Sequence, residues 1–285
     1  MDSKLAEAAA AREAVRAAVD SSDHAATTYD GCMTPSASGR PCAAPATDPA
    51  EFAALCRSSP WRWGTVRFTL SWLGPETAPV RCWIRRPEDL RVEALDGTAL
   101  YTSTDLVGSR DDFYVSARPE SWLVRPGLLS PIYTRSGLVE RRPEAAYGDP
   151  VFGGGRWQAV LDPVELAGPA PQPLYLAERA PAALTEIRSA VDDDGRPVRR
   201  AVVRPLVGYR PVEPGHPLAP APTAVSIDEQ TGICTASEVL EGPEAGSGHR
   251  LRIEAVDDYL NDDLFTPVSF RLTDVSQHLP WRLRG

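Results

Sequence analysis

The sequence has 285 residues, a net charge of −9 and a hydrophobic content of 42%, which is enough for one large domain with a sizeable core. Because the chain is acidic and has no basic cluster, it lacks the positive surface that binds nucleic acid or anionic membranes. No run of about 18 apolar residues occurs, so we expect no membrane-spanning helix. Lysine occurs once, at Lys4, whereas Arg, Ala and Pro are abundant, and this bias indicates a GC-rich bacterial genome.

An N-terminal segment, residues 1–59, is predicted to be distinct from the rest of the chain. Ala, Glu and Arg without Gly or Pro predict a helix over 3–19, and small polar residues predict a loop over 20–47. A second helix begins after Asp48, the predicted N-cap, with Pro49 at its first position. Charged residues in the first helix rule out an export signal, so we expect a cytoplasmic protein.

Alternating apolar and polar residues predict four short strands after residue 60. In the stretch WGTVRFTLSWLG, Phe68, Leu70 and Trp72 share one face, and polar residues lie between them. The apolar positions that continue this alternation in the next two strands include Cys82, Ile84 and Val92. Short turns between such strands indicate an antiparallel meander.

Two hairpins are predicted in the second half of the chain. Alternating strands flank the turn DDDG at 192–195. A second pair of strands flanks DEQTG at 228–232. In that turn we expect Asp228 to bond back to the backbone and Gly232 to adopt the left-handed conformation.

The remaining elements are fewer and define the fold class. The stretch LDPVELAG at 161–168 predicts a short helix with Asp162 as its N-cap, whereas residues 105–150 show no assignable pattern. Strands outnumber helices, and the helices lie between blocks of strands. The sequence therefore predicts an α+β fold with one large antiparallel sheet over 60–285.

The sequence lacks the motifs of common catalytic and metal sites. It has no G-x-S-x-G elbow, and none of its four histidines has another histidine or a cysteine at ligand spacing. The glycine-rich FGGGRW at 152–157 lacks the Lys-Ser/Thr of a phosphate-binding loop. The carboxylates of 257–265 lack the glycine and the spacing of a calcium loop. We therefore predict no catalytic residue, no metal and no cofactor.

Large apolar side chains on the predicted sheet indicate a cavity for an apolar ligand, because they cannot all contact one another on a concave face. The residues predicted to bind this ligand are Phe68, Leu70, Trp72, Cys82, Ile84, Val92, Trp122, Trp157 and Leu161. The alternative is an ordinary core, in which one of the two N-terminal helices covers the same face.

Four short motifs resemble the LolA-like lipoprotein-carrier family in their order along the chain. They are RRPEDLRVE at 85–93, LDPVELA at 161–167, VSIDEQTGICTASEV at 225–239 and DDYLNDDLFTP at 257–267. In the family pattern, a strand ends in an Asp, a T-G turn follows, and a later strand runs to D-x-x-F-x-P. The matching positions here are Asp228, Thr231, Gly232, Asp262, Phe265 and Pro267.

This resemblance implies a curved antiparallel half-barrel with helices packed on its concave face. Members of this fold carry acyl chains or act as sensors for lipoproteins. Such proteins usually carry an export signal, whereas we expect none in this chain. We therefore expect a non-enzymatic binding protein that holds an acyl chain or a hydrophobic metabolite in the half-barrel cavity.

Two other functions remain open from the sequence. A regulatory or scaffolding protein would grip a protein partner with the same sheet. An enzyme would place an acidic pair in the cavity, although no group of residues supports this. Neither a nucleic acid nor an integral membrane segment is expected in any of the three cases.

The cysteines give a test of the cellular compartment. The chain has five of them, at Cys32, Cys42, Cys56, Cys82 and Cys234, and none lies in a C-x-x-C pair. We expect Cys32 and Cys42 to be free thiols in a reducing cytoplasm. Thiol labelling in freshly lysed cells should modify both without prior reduction. A pair that reacts only after reduction would contradict the cytoplasmic assignment.

Overall fold

A nine-stranded antiparallel sheet dominates the described part of the chain in a computed structural model, and it confirms the predicted α+β class. The structure describes residues 48–74, 78–87, 89–104, 126–143, 156–212 and 217–266. All of them belong to one structural unit, residues 43–285. The predicted helix 3–19 and the loop 20–47, with Cys32 and Cys42, lie outside the described residues.

In the described ranges, the α-helices are α1 (Pro49–Ser58) and α2 (Arg156–Leu161), and 3₁₀ turns occur at Ser59–Trp61, Pro126–Leu128, Pro163–Leu166, Leu174–Arg179 and Asp262–Phe265. The strands are β1 (Thr65–Leu73), β2 (Val80–Arg85), β3 (Asp89–Ala94), β4 (Ala99–Ser103), β5 (Ile132–Tyr133), β6 (Val139–Arg141), β7 (Ala182–Val191), β8 (Pro197–Pro205), β9 (Thr223–Asp228), β10 (Cys234–Val239) and β11 (Gly248–Val256). The four strands and the two hairpins that the sequence predicts are confirmed.

Two meanders combine to form the large sheet, whose order is β4-β3-β2-β1-β11-β10-β9-β8-β7. Within the described residues, the first strand, β1, and the last, β11, pair in the middle of the sheet, with Leu70 opposite Leu251. Both β4 and β7 are edge strands, so the sheet is open. Strands β5 and β6 form a separate two-stranded sheet.

The alternation in β1 places its apolar residues on one face, as predicted. Val66, Phe68 and Leu70 are buried, whereas the residues between them are only half-buried. On the other face, the Thr69 hydroxyl donates to Glu254 Oε1 at 2.7 Å. Period-two alternation therefore separates an apolar face from a polar face across the sheet.

Helix α1 covers the apolar face of the sheet. It begins as predicted, because the Asp48 carboxylate accepts from the Ala50 amide at 2.9 Å and Pro49 occupies the first turn. The buried side of the helix contributes Phe52 and Leu55 to the same core as Phe68. Burying such side chains stabilises the fold by about 1.5–3 kcal/mol each.

Asp162 occupies the predicted N-cap position, but its side chain does not cap the turn. A 3₁₀ turn does follow at Pro163–Leu166, but Asp162 makes no side-chain capping bond. Its carboxylate instead pairs with the Arg142 guanidinium, with 2.8 Å between Arg142 Nη1 and Asp162 Oδ2. Because Asp162 is buried, its charge needs a partner, and pairing with Arg142 outcompetes the cap.

The turn between β9 and β10 has the predicted geometry. The Thr231 amide and hydroxyl both donate to Asp228 Oδ1 at 2.7 Å, and Gly232 has a φ of 74°. A β-carbon on Gly232 would lie 3.0 Å from the Ser59 amide nitrogen and 3.1 Å from the Leu55 carbonyl oxygen. The turn therefore touches the backbone at the end of α1 and leaves no room for a side chain.

Replacement of Gly232 should reveal this contact. Gly232→Ala combines a left-handed backbone, which costs a residue with a β-carbon about 1–2 kcal/mol, with the close contact to α1. Gly195 is the matched control, because its φ is 82° and a β-carbon there would meet nothing within 4 Å. In urea unfolding, Gly232→Ala should lose clearly more stability than Gly195→Ala. Equal losses of stability in the two variants would mean that the contact between α1 and the turn leaves room for a β-carbon.

Candidate functional site

The residues predicted to bind an apolar ligand lie mainly inside the core. Six of them are at most 7% exposed, namely Phe68, Leu70, Cys82, Ile84, Val92 and Leu161. Trp72 is partly buried and packs on the same core, and its ring meets His249 edge-on with 5.8 Å between centroids. Trp122 and the side chain of Trp157 lie outside the described residues. None of the seven described members of this set lines the groove described next.

An apolar groove of about 800 Å³ runs between α1 and residues 166–184. The helix wall consists of Pro49, Ala50, Ala53 and Ala54, and the opposite wall contains Leu166, Pro171, Leu174, Ala177, Pro181 and Leu184. Small side chains on both walls keep the groove open. The charged residues that border it are Asp48, Glu51, Arg57, Arg135 and Glu140.

Arg57 holds the two walls of the groove together. From the last turn of α1, its Nε donates to the Gly168 carbonyl at 2.8 Å and its Nη2 to the Ala167 carbonyl at 3.0 Å. The Arg57 carbonyl in turn accepts from Arg142 Nε at 3.0 Å. Because Arg57 is only 4% exposed and Ala167 is buried, loss of the guanidinium would leave at least the Ala167 carbonyl without a partner.

Glu165 fixes the loop that follows β8. Its Oε1 accepts from the Tyr209 hydroxyl at 2.6 Å and from the Leu218 amide at 2.7 Å, and its Oε2 accepts from the Val212 amide at 2.7 Å. Burial raises the pKa of the Glu165 carboxyl, although these hydrogen bonds act in the opposite direction. Burial likewise raises the pKa of Tyr209. With both carboxylate oxygens occupied, Glu165 holds the loop in place at Tyr209, Val212 and Leu218.

One serine–histidine pair has the geometry of a nucleophile and a base. Ser237 Oγ lies 2.7 Å from His249 Nδ1, and His249 Nε2 lies 2.7 Å from the Cys234 carbonyl oxygen. Because a carbonyl only accepts, Nε2 carries the proton and Nδ1 accepts from the serine. Ser237 is 2% exposed and His249 is fully buried. No substrate reaches the serine in this conformation, and the pair acts as a polar link inside the sheet.

The described thiols are buried. Cys56, Cys82 and Cys234 are free and inaccessible, and burial raises the pKa of each, in the case of Cys234 to about 12. Such thiols stay protonated near neutral pH and are poor nucleophiles and metal ligands. They pack as small apolar side chains.

Within the described ranges, no group of three or more His, Cys, Asp or Glu residues is placed to hold a metal ion. No helix in the described part of the chain has the length and apolar character needed to cross a membrane.

No family model matches the sequence, and a search of curated proteins gives no match to it.

The groove is the feature that sequence reasoning missed. Its walls come from α1 and from residues 166–184, which are more than 100 positions apart in the sequence, as in the bond from Arg57 to Gly168. One indication was present in the sequence. Residues 166–184 are rich in Ala and Pro and contain only two charged residues, Glu178 and Arg179, which is unusual for an exposed connection.

Removal of the Arg57 guanidinium should weaken the attachment of α1 to Ala167 and Gly168. Arg57→Met keeps much of the apolar length but leaves the Ala167 and Gly168 carbonyls unpaired, so the free energy of unfolding should fall by about 1–3 kcal/mol. Arg135→Met is the matched control, because Arg135 borders the same groove but is exposed. Urea denaturation of both variants measures the difference. Similar stabilities would show that Arg57 does not fasten α1.

Proposed function

We propose that the protein is a non-enzymatic binding protein that takes an apolar ligand, such as an acyl chain, in the groove between α1 and residues 166–184. The observation that carries this proposal is the volume and lining of the groove. Its volume of about 800 Å³ lies within the range of about 300–1,000 Å³ typical of small-molecule sites. Its walls are mainly alanine, proline and leucine, which favour hydrocarbon over polar ligands.

Arg135 is the cation that would bind the head group of a fatty acid, although Asp48, Glu51 and Glu140 also border the groove. Arg135 borders the groove and forms no ion pair with a described residue. A carboxylate head group at Arg135 would place the acyl chain along Ala53, Ala177 and Leu184. Arg135 is exposed, so the head group stays in water while the chain is buried.

In this proposal the sheet is a LolA-like half-barrel. An open antiparallel sheet with a helix on its apolar face supports this assignment, as does the turn geometry of Asp228 and Gly232. Ligand binding by the nine residues named from the sequence remains a prediction. A ligand contacts the buried members of that set only if α1 withdraws from the sheet.

A protein partner is the second candidate, and one observation favours it. Three large apolar side chains near the outer wall of the groove are almost fully exposed: Leu174 at 96%, Tyr175 at 84% and Val207 at 86%. Exposed apolar groups that lie close together are typical of protein interfaces. A regulatory or scaffolding partner would cover them.

The cytoplasm is the compartment that we propose. The buried free thiols of Cys56, Cys82 and Cys234 support it, because unpaired cysteines are more common in reducing compartments.

Titration with a fluorescent fatty-acid analogue tests the proposal. The wild type should bind at micromolar concentration, and Ala177→Trp should weaken binding at least tenfold, because Ala177 is an exposed wall residue and the larger side chain fills the groove. Ala177→Ser is the control and should bind like the wild type. Arg135→Gln should weaken binding of the acid but not of the corresponding alcohol. No binding by the wild type contradicts an apolar ligand.

Leu70→Ala distinguishes the groove from the interior of the sheet. As a core substitution it should cost about 2–5 kcal/mol of stability and leave the affinity unchanged. If it changes the affinity while Ala177→Trp does not, the ligand lies against the sheet. Mass spectrometry of natively purified protein separates the two candidate functions, since a bound lipid supports the first and a stoichiometric protein supports the second.

A further inference from the structure

A second recess lies on the polar face of the sheet, opposite α1. It has a volume of about 720 Å³ and is lined by residues of β1 and β7–β11. Arg252 on β11 forms an ion pair at 2.9 Å with Asp194 in the β7–β8 turn. Strands β11 and β8 are three positions apart, which is about 14 Å in a flat sheet. The long Arg252 side chain and the turn thus meet over the intervening strands at one side of the recess.

One row of cross-strand neighbours forms the floor of the recess. The register places Arg188 on β7, Arg200 on β8, Ser226 on β9, Ala236 on β10 and Arg250 on β11 in one line across the sheet. All five line the recess. Small side chains at Ser226 and Ala236 leave space in the middle, and arginines stand on both sides of it.

Arg188 and Arg200 are directly opposite each other on paired strands. Like charges in this position destabilise a sheet. Neither arginine forms an ion pair with any described residue. Arg200 Nη2 donates to the Val191 carbonyl oxygen at 3.5 Å, which is a weak contact. Their two guanidinium groups therefore share one side of the recess without a compensating negative charge in contact.

The acidic residues of the recess are mostly engaged elsewhere. Glu238 binds Arg250 at 2.9 Å, and Asp194 binds Arg252. The Asp192 carboxylate accepts the amides of Asp194 and Arg196 at 3.0 and 2.8 Å. Glu186 and Asp193 remain on the rim and would repel a large polyanion. The recess therefore suits one small anionic group placed between the two arginines.

We infer that this recess is an oxyanion-binding site in which Arg188 and Arg200 together hold the phosphate or carboxylate group of a small soluble ligand. Guanidinium forks bind such groups through two parallel hydrogen bonds, and an anion between the arginines relieves their repulsion. The site is independent of the apolar groove, because it lies on the opposite face of the sheet.

Calorimetric titration with inorganic phosphate and, separately, with succinate tests the inference at low ionic strength. At least one anion should bind saturably, and Arg188→Gln and Arg200→Gln should each weaken binding at least tenfold. Arg204→Gln is the matched control, because Arg204 also lies on β8 but pairs with Glu241 at 3.6 Å outside the recess. The preferred anion identifies the ligand group. No binding of either anion, or equal binding by all variants, overturns the inference.

Thermal unfolding gives a second readout that does not depend on affinity. Without added anion, Arg200→Gln should melt no lower than the wild type, because one of two facing charges is gone. Phosphate or succinate should raise the melting temperature of the wild type more than that of the variant. If Arg200→Gln fails to fold, Arg188→Gln decides the question, since Arg188 is exposed. An equal rise in both proteins contradicts a site between the arginines.

Discussion

The contact between the β9–β10 turn and the end of helix α1 is the constraint on which the rest of the structure depends. The turn has room there only for glycine, because a β-carbon on Gly232 would meet the backbone of Leu55 and Ser59. Asp228 fixes the turn from inside: it is fully buried, and Arg196 Nε donates to its carboxylate at 2.8 Å. The helix therefore lies on a rigid support, and the apolar face of the sheet is covered.

This arrangement gives the two faces of the sheet different roles. On the apolar face, α1 fills the space that an interior ligand would need. The apolar groove lies instead at the edge of this helix, next to Arg57. On the polar face, the sheet carries a recess lined by arginine and small side chains, among others. The proposed apolar ligand and the inferred anion would therefore lie on opposite sides of the same sheet.

Local rules predict much of this fold, and long-range pairing accounts for what they miss. Period-two alternation gives β1–β3, and turn chemistry gives Gly232 its left-handed conformation. Asp162 shows the limit, because its capping motif is overridden by an arginine 20 positions away. The pairing of β1 with β11 and the two-walled groove have no local signature. Sequence reasoning therefore identifies apolar faces without showing which of them another element covers.

Native-state hydrogen exchange tests the central claim most directly, because it measures whether α1 opens independently of the sheet. If the turn holds the helix, the amides in the second half of α1 should exchange with the same free energy as those of β9 and β10. Gly232→Ala should lower protection in the helix and in both strands together. Rapid exchange of α1 while β9 and β10 stay protected would contradict the account.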